Sequence, residues 1–184
     1  MKKIILFGDS ITAGYENGLT DFRLNERISA QVKEVDIINA GIPGDTTKGA
    51  RKRLEDHVLK YDPDIVTVFF GANDVSTITG LPIEEYEENL DEIVKEIGIS
   101  KVILIGVPFC DQRIYQEERP MKRLEAFNSV AQKLTAKYRL DYIDMLSEMQ
   151  QVNPSIYLQR DGIHFSNEGY DLLGRLISQT INNR

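Results

Sequence analysis
The chain has no tryptophan, one cysteine, Cys110, and only two histidines, His57 and His164, among its 184 residues. A single cysteine excludes an intramolecular disulfide, so the sequence does not call for an oxidising compartment. One cysteine and two distant histidines also fall short of the three clustered ligands of a catalytic zinc, so neither a metal nor another cofactor is expected. A basic excess is missing as well. The net charge is -7 and the pI about 5.0, which argues against nucleic acid as a partner. The longest basic run, Arg51-Lys52-Arg53, is followed directly by Glu55-Asp56 and reads as part of a charged helix face. No apolar run approaches bilayer length, and no stable membrane association is expected. The opening Ile4-Ile5-Leu6-Phe7 is too short for a signal peptide and is interrupted by Gly8-Asp9-Ser10. The expectation is a cytoplasmic protein.

What is present is ordinary globular material. Apolar residues make up 41% and charged residues 28%, and the length suits one domain over 1–184. Strand-like and helix-like segments alternate. Ile4–Phe7, Val35–Asn39, Asp64–Phe70, Lys101–Val107 and, more weakly, Leu140–Ile143 are short apolar runs of the kind found in buried parallel strands. Helical periodicity runs between them. Residues 20–33 carry Phe22, Leu24, Ile28 and Val32; residues 46–60 carry Ala50, Leu54 and Val58. Residues 82–97, 120–138 and 167–182 follow the same pattern, the first two opened by Pro82 and Pro120 and the last capped by Ser166. This succession predicts a three-layer α/β/α sandwich, a flavodoxin-like, doubly wound sheet of five parallel strands. Ligands of such sheets bind beyond the carboxyl ends of the strands.

Polar and small residues gather at those ends. Gly8-Asp9-Ser10-Ile11 follows the first strand, Gly41-Ile42-Pro43-Gly44-Asp45 the second and Gly71-Ala72-Asn73-Asp74 the third. Asp161-Gly162-Ile163-His164 precedes the last helix. A serine hydroxyl needs an adjacent base, and a base that works near neutrality is a histidine. His57 lies in a charged helix and reads as a surface residue. His164 lies on a loop, with Asp161 three residues earlier, across a glycine turn. That carboxylate can fold back to the ring's Nδ1 and leave Nε2 for Ser10. Donors for an oxyanion are available in the N–H of Ser10, the N–H of Gly44 and the amide of Asn73, although Gly44 could serve only a turn and Asn73 only a helix cap. Asp9 is assigned to holding its loop. Asp45, Thr46 and Thr47 are expected to cap the next helix, and Cys110 to be a small buried residue.

Other signatures are missing. Thr12 stands where a Gly-x-Ser-x-Gly elbow needs its second glycine, and neither a P-loop nor a dinucleotide fingerprint fits.

The four blocks, in this order and spread over nearly the whole chain, resemble those of the GDSL family, also called SGNH hydrolases. Ile11 stands where that family most often has leucine. The resemblance implies Ser10 as nucleophile, Asp161 and His164 as the rest of a triad, and Ser10, Gly44 and Asn73 as the oxyanion hole, with Gly41 the weaker choice for the backbone donor. It implies ester hydrolysis without fixing the substrate, since the family includes lysophospholipases, thioesterases, acetyl-esterases and carbohydrate deacetylases. The polar stretch from Pro108 to Arg119 suggests a rim for small soluble esters of short or medium acyl chain. Ile42, Pro43, Val75, Phe109 and Ile163 are candidate acyl-pocket residues by proximity to the motifs. A carbohydrate or nucleoside deacetylase is the nearest alternative, and a non-catalytic small-molecule-binding module the alternative from another class. Oligomeric state is left open.

Overall fold
The continuous apolar runs become strands because a parallel strand covered on both faces has no side to give to water. The structure, a computed structural model, describes residues Met1–Arg184. Strand β1 is Lys2–Gly8, β2 is Val35–Gly41, β3 is Ile65–Phe69, β4 is Val102–Ile105 and β5 is Asp141–Ile143. All pair in parallel, in the order β2-β1-β3-β4-β5. This is the flavodoxin-like order, and its direction reverses between β1 and β3. Every residue from Ile4 to Phe7 and from Ile65 to Phe69 is buried.

Two layers of helices cover the sheet. Helix α1 (Arg23–Gln31) packs on the last helix, α7 (Asn167–Asn182); α2 (Thr47–His57), α3 (Ile83–Ile97) and α5 (Met121–Tyr138) pack against one another in sequence. The apolar stripes face inward as the periodicity requires: Ala50, Leu54 and Val58, then Tyr86, Leu90, Ile93, Val94 and Ile97, then Leu124, Phe127, Val130 and Leu134 are all buried. Truncating one of the larger of these to alanine costs about 2–5 kcal/mol. Ser166 caps α7 by accepting from Gly169 N at 3.2 Å.

Three details differ from the sequence reading. Phe22 does not join the apolar face of α1; it precedes the helix and is 67% exposed. Two short helices interrupt stretches read as loop, α4 (Gln112–Tyr115) and α6 (Met145–Gln150). In α6, Asp144 caps the helix by accepting from Ser147 N, and Met145, Leu146 and Met149 are buried. No helix is long and apolar enough to cross a membrane.

Candidate active site
Ser10 lies in the turn just after β1, and Asn73 just after β3, on either side of the point where the strand order reverses. Gly44 follows β2 on the neighbouring loop. His164 arrives from the far end of the chain. Two bonds hold its loop here: Gln159 Nε2 donates to Tyr15 O at 2.9 Å, and Tyr170 Oη donates to Ile11 O at 2.7 Å. From the other flank, Asp111 N donates to Gly162 O at 2.8 Å.

The result is a linear array. Ser10 Oγ is 3.0 Å from His164 Nε2, and His164 Nδ1 is 2.6 Å from Asp161 Oδ2. Asp161 Oδ1 accepts the N–H groups of Ile163 and His164, both at 3.0 Å. Burial alone would raise the Asp161 carboxyl. The hydrogen bonds from Ile163, from His164 and from the imidazole outweigh it and hold the group below the usual carboxylate range. Gly162 makes the turn possible. Its φ is +75°, and a Cβ there would approach Asp111 Cβ to 2.9 Å. The Tyr15 ring lies against the imidazole, with centroids 4.5 Å apart.

Candidate donors stand on the loops that follow β1, β2 and β3. The N–H groups of Ser10 and Gly44 make no hydrogen bond within the chain. Gly44 has φ +77° and open space where a Cβ would stand. Gly41 N–H is occupied, since it donates to Asn39 Oδ1 at 3.0 Å. Asn73 is not a helix cap. Its Nδ2 donates to Asp45 O at 2.8 Å, and its second hydrogen has only a long contact, 3.5 Å, to Asp9 Oδ2.

The acidic neighbours have structural partners. Asp9 is buried and accepts from Ile11 N at 2.9 Å; burial pushes its carboxyl up to about 7. Thr46 caps α2, whereas Asp45 pairs with Arg53 and Thr47 bonds to Asp74. Cys110 is buried, and burial raises its thiol to about 11. His57 is not an isolated surface residue: its Nδ1 sits 3.3 Å from Arg53 Nη1.

The five candidate pocket residues separate. Val75, Phe109 and Ile163 line one apolar hollow of about 10 Å³, together with Ala72, Pro108, Cys110, Arg119 and Leu124. Ile42 and Pro43 lie apart from it, exposed on the β2–α2 loop. A groove of about 490 Å³ beside Gly162 is lined mostly by polar residues, Asp111, Arg113, Ser155, Gln159 and Arg160, together with Ile114 and Leu158.

Sequence reasoning did not single out Tyr15, Gln159 or Arg53. For Arg53 a signal existed: it falls on the same helical stripe as Ala50, Leu54 and His57.

Comparison with known proteins gives the same picture. Residues 6–172 match the GDSL-like Lipase/Acylhydrolase family. The crystal structure of the lipase/acylhydrolase from Enterococcus faecalis superposes with a TM-score of 0.95 at 43% identity, covering 100% of this chain and 97% of that one. The isoamyl acetate-hydrolyzing esterase of Saccharomyces cerevisiae is 26% identical over 93% of this chain and 82% of its own length. An acetylxylan esterase of Geobacillus stearothermophilus is 27% identical over 79% of this chain and 71% of its own length. A serine within reach of a carboxylate-bound imidazole, on this sheet and among these relatives, makes the chain a carboxylic ester hydrolase that belongs to the GDSL-like lipase/acylhydrolase family.

Proposed function
We propose that this protein hydrolyses esters or thioesters of small soluble acyl groups through a Ser10–His164–Asp161 triad and an acyl-enzyme. The observation that carries the reading is the 3.0 Å approach of Ser10 Oγ to His164 Nε2, with the opposite ring nitrogen on Asp161. Ser10 Oγ attacks the acyl carbonyl while its proton passes to His164 Nε2. The carbonyl oxygen gains the negative charge and accepts from Ser10 N–H, Gly44 N–H and the Asn73 amide. His164 then delivers the proton to the departing alcohol or thiol, and the acyl group remains on Ser10. Water repeats the sequence: His164 takes its proton, its oxygen attacks, and Ser10 leaves with the proton returned.

A short acyl group is favoured by the size of the hollow. About 10 Å³ is the room of roughly one water molecule, too little for a long chain. The names of two relatives, isoamyl acetate-hydrolyzing esterase and acetylxylan esterase, both describe acetyl esters. The polar groove beside Gly162 favours a second reading within the same chemistry, removal of acetyl groups from a carbohydrate, whose hydroxyls suit Ser155, Gln159 and Arg160. Acetylated xylo-oligosaccharide turned over faster than p-nitrophenyl acetate selects that reading.

A fluorophosphonate probe tests the mechanism. Wild type is expected to label at one site, and Ser10→Ala to lose both label and turnover. Equal labelling of the two proteins would leave only a non-catalytic binding module on this fold.

A further inference from the structure
The three groups assigned to the oxyanion hole stand on three separate loops, after β1, β2 and β3. The ladder bonds of the sheet stop short of them. Several side chains cross between these loops, and Arg53 makes the largest set of such bonds to the first two. Arg53 belongs to a basic run on α2, yet only 11% of its side chain is exposed. Its Nη2 donates to Gly8 O at 2.9 Å, two residues before Ser10. Its Nη1 donates to Ala40 O at 2.8 Å, on the strand that leads to Gly44. Its Nε donates to Asp45 Oδ2 at 2.7 Å, on the residue after Gly44. The backbone carbonyl of that same Asp45 accepts the Asn73 amide. The guanidinium also lies over the Phe7 ring, 4.5 Å from its centroid, which fixes its plane.

We propose that Arg53 is a positioning residue for ester hydrolysis, a clamp that sets the spacing of the Ser10, Gly44 and Asn73 donors around the developing oxyanion. The inference rests on the catalytic reading above. Its physical basis is the shape of guanidinium. A rigid planar fork meets three acceptors in fixed directions, whereas a lysine ammonium is a single point on a flexible stem. Misplacing a preorganised group by about 1 Å can cost about 10²-fold in rate. The clamp touches no substrate, so its removal acts on the transition state and spares binding.

Arg53→Lys keeps the charge and removes the fork. With p-nitrophenyl acetate, kcat is expected to fall about 10- to 10²-fold with KM within about twofold. In an Asn73→Ala background the same change is expected to cost a much smaller factor, because one of the groups it misplaces is already gone. Equal factors in both backgrounds, a rise in KM at unchanged kcat, or wild-type kcat with only a lowered Tm overturns the proposal. Should Arg53→Lys fail to fold, Asp45→Asn loosens the Nε contact alone, and a kcat indistinguishable from wild type then overturns it. Ester turnover by Ser10→Ala at the wild-type rate would remove the catalytic reading itself. A dead Ser10→Ala beside a fully active Arg53→Lys removes only the clamp.

Discussion

Asp161 binds His164 at both ends: one carboxylate oxygen meets the ring Nδ1 at 2.6 Å, and the other accepts the backbone N–H of the same residue at 3.0 Å. The acceptor character of that carboxylate sets the tautomer. Nδ1 must carry the proton, so Nε2 is free to take one from Ser10. In Asp161→Asn the amide can turn its NH₂ toward Nδ1 and favour the opposite tautomer. The expected loss in kcat is about 10³–10⁴, with the protein still folded by far-UV circular dichroism. A loss below tenfold would show that Asp161 only caps its turn.

The pH profile separates the base from the carboxylate beside it. Histidine is the side chain whose ordinary value puts its charge change between pH 5 and 8. Asp161 is held below the ordinary carboxylate range, so it stays an anion throughout that window. A general base must be unprotonated to act, so kcat/KM is expected to fall toward acid pH, and Asp9, which burial lifts to about 7 beside Ser10, changes charge in the same window. An inflection in the carboxylate range, or a flat profile from pH 5 to 8, would contradict a histidine base.

Asn73 carries a different expectation. One amide hydrogen is anchored on Asp45 O, which leaves the side chain fixed and its second hydrogen free to strengthen a bond as charge develops. Asn73→Ala should lower kcat about 10²–10³-fold with KM little changed, the usual effect of removing one oxyanion donor. Steady-state kinetics on p-nitrophenyl acetate measure it. A drop under tenfold removes Asn73 from the hole.

The frame was open to sequence reading because its signals are local. Ile4–Phe7 and Ile65–Phe69 are almost wholly apolar, with Thr67 the one polar residue, and are buried on both faces as a covered parallel strand is. The long helices announce themselves by stripes such as Tyr86, Leu90, Ile93 and Val94. Helices of one or two turns do not, and α4 and α6 escaped for that reason. Phe22 misled because its spacing from Leu24 and Ile28 suits a helix that had not yet begun. Among the site residues, Ser10, Asp161 and His164 stand in short motifs and could be named. Arg53 offered only its place on the Ala50 and Leu54 stripe, and a basic run reads as a solvated face until the carbonyls of Gly8 and Ala40 are seen around it. Its partners come from other strands, and periodicity carries no information about them.

The small apolar hollow, read as the acyl pocket, predicts a preference for short chains. Its walls are mostly full-sized apolar side chains, among them Val75, Phe109, Leu124 and Ile163. Rates on p-nitrophenyl esters should fall from acetate to butyrate to octanoate. Leu124→Ala should widen the hollow and move the optimum toward butyrate, at a stability cost of about 2–5 kcal/mol. Octanoate far ahead in the wild type would place the acyl chain elsewhere.

Asp74 gives the last expectation, and it concerns stability. Its Oδ1 accepts from Thr47 N at 2.9 Å and Thr47 Oγ1 at 2.5 Å, while its Oδ2 has no partner. Burial raises the carboxyl to about 6, against the opposing hydrogen bonds from Thr47. The folded chain therefore keeps a proton that the unfolded chain has already released above pH 4. Stability falls as pH rises from about 4 to about 6, and the penalty is complete above that. Asn at this position does not titrate. The stability of Asp74→Asn relative to wild type should rise across that window by roughly 2–3 kcal/mol and then level off. Urea melts of both proteins at pH 4.5 and pH 8 read the difference directly. A stability gap independent of pH would mean that Asp74 is ionised in the folded chain, with its unpaired oxygen reached by water.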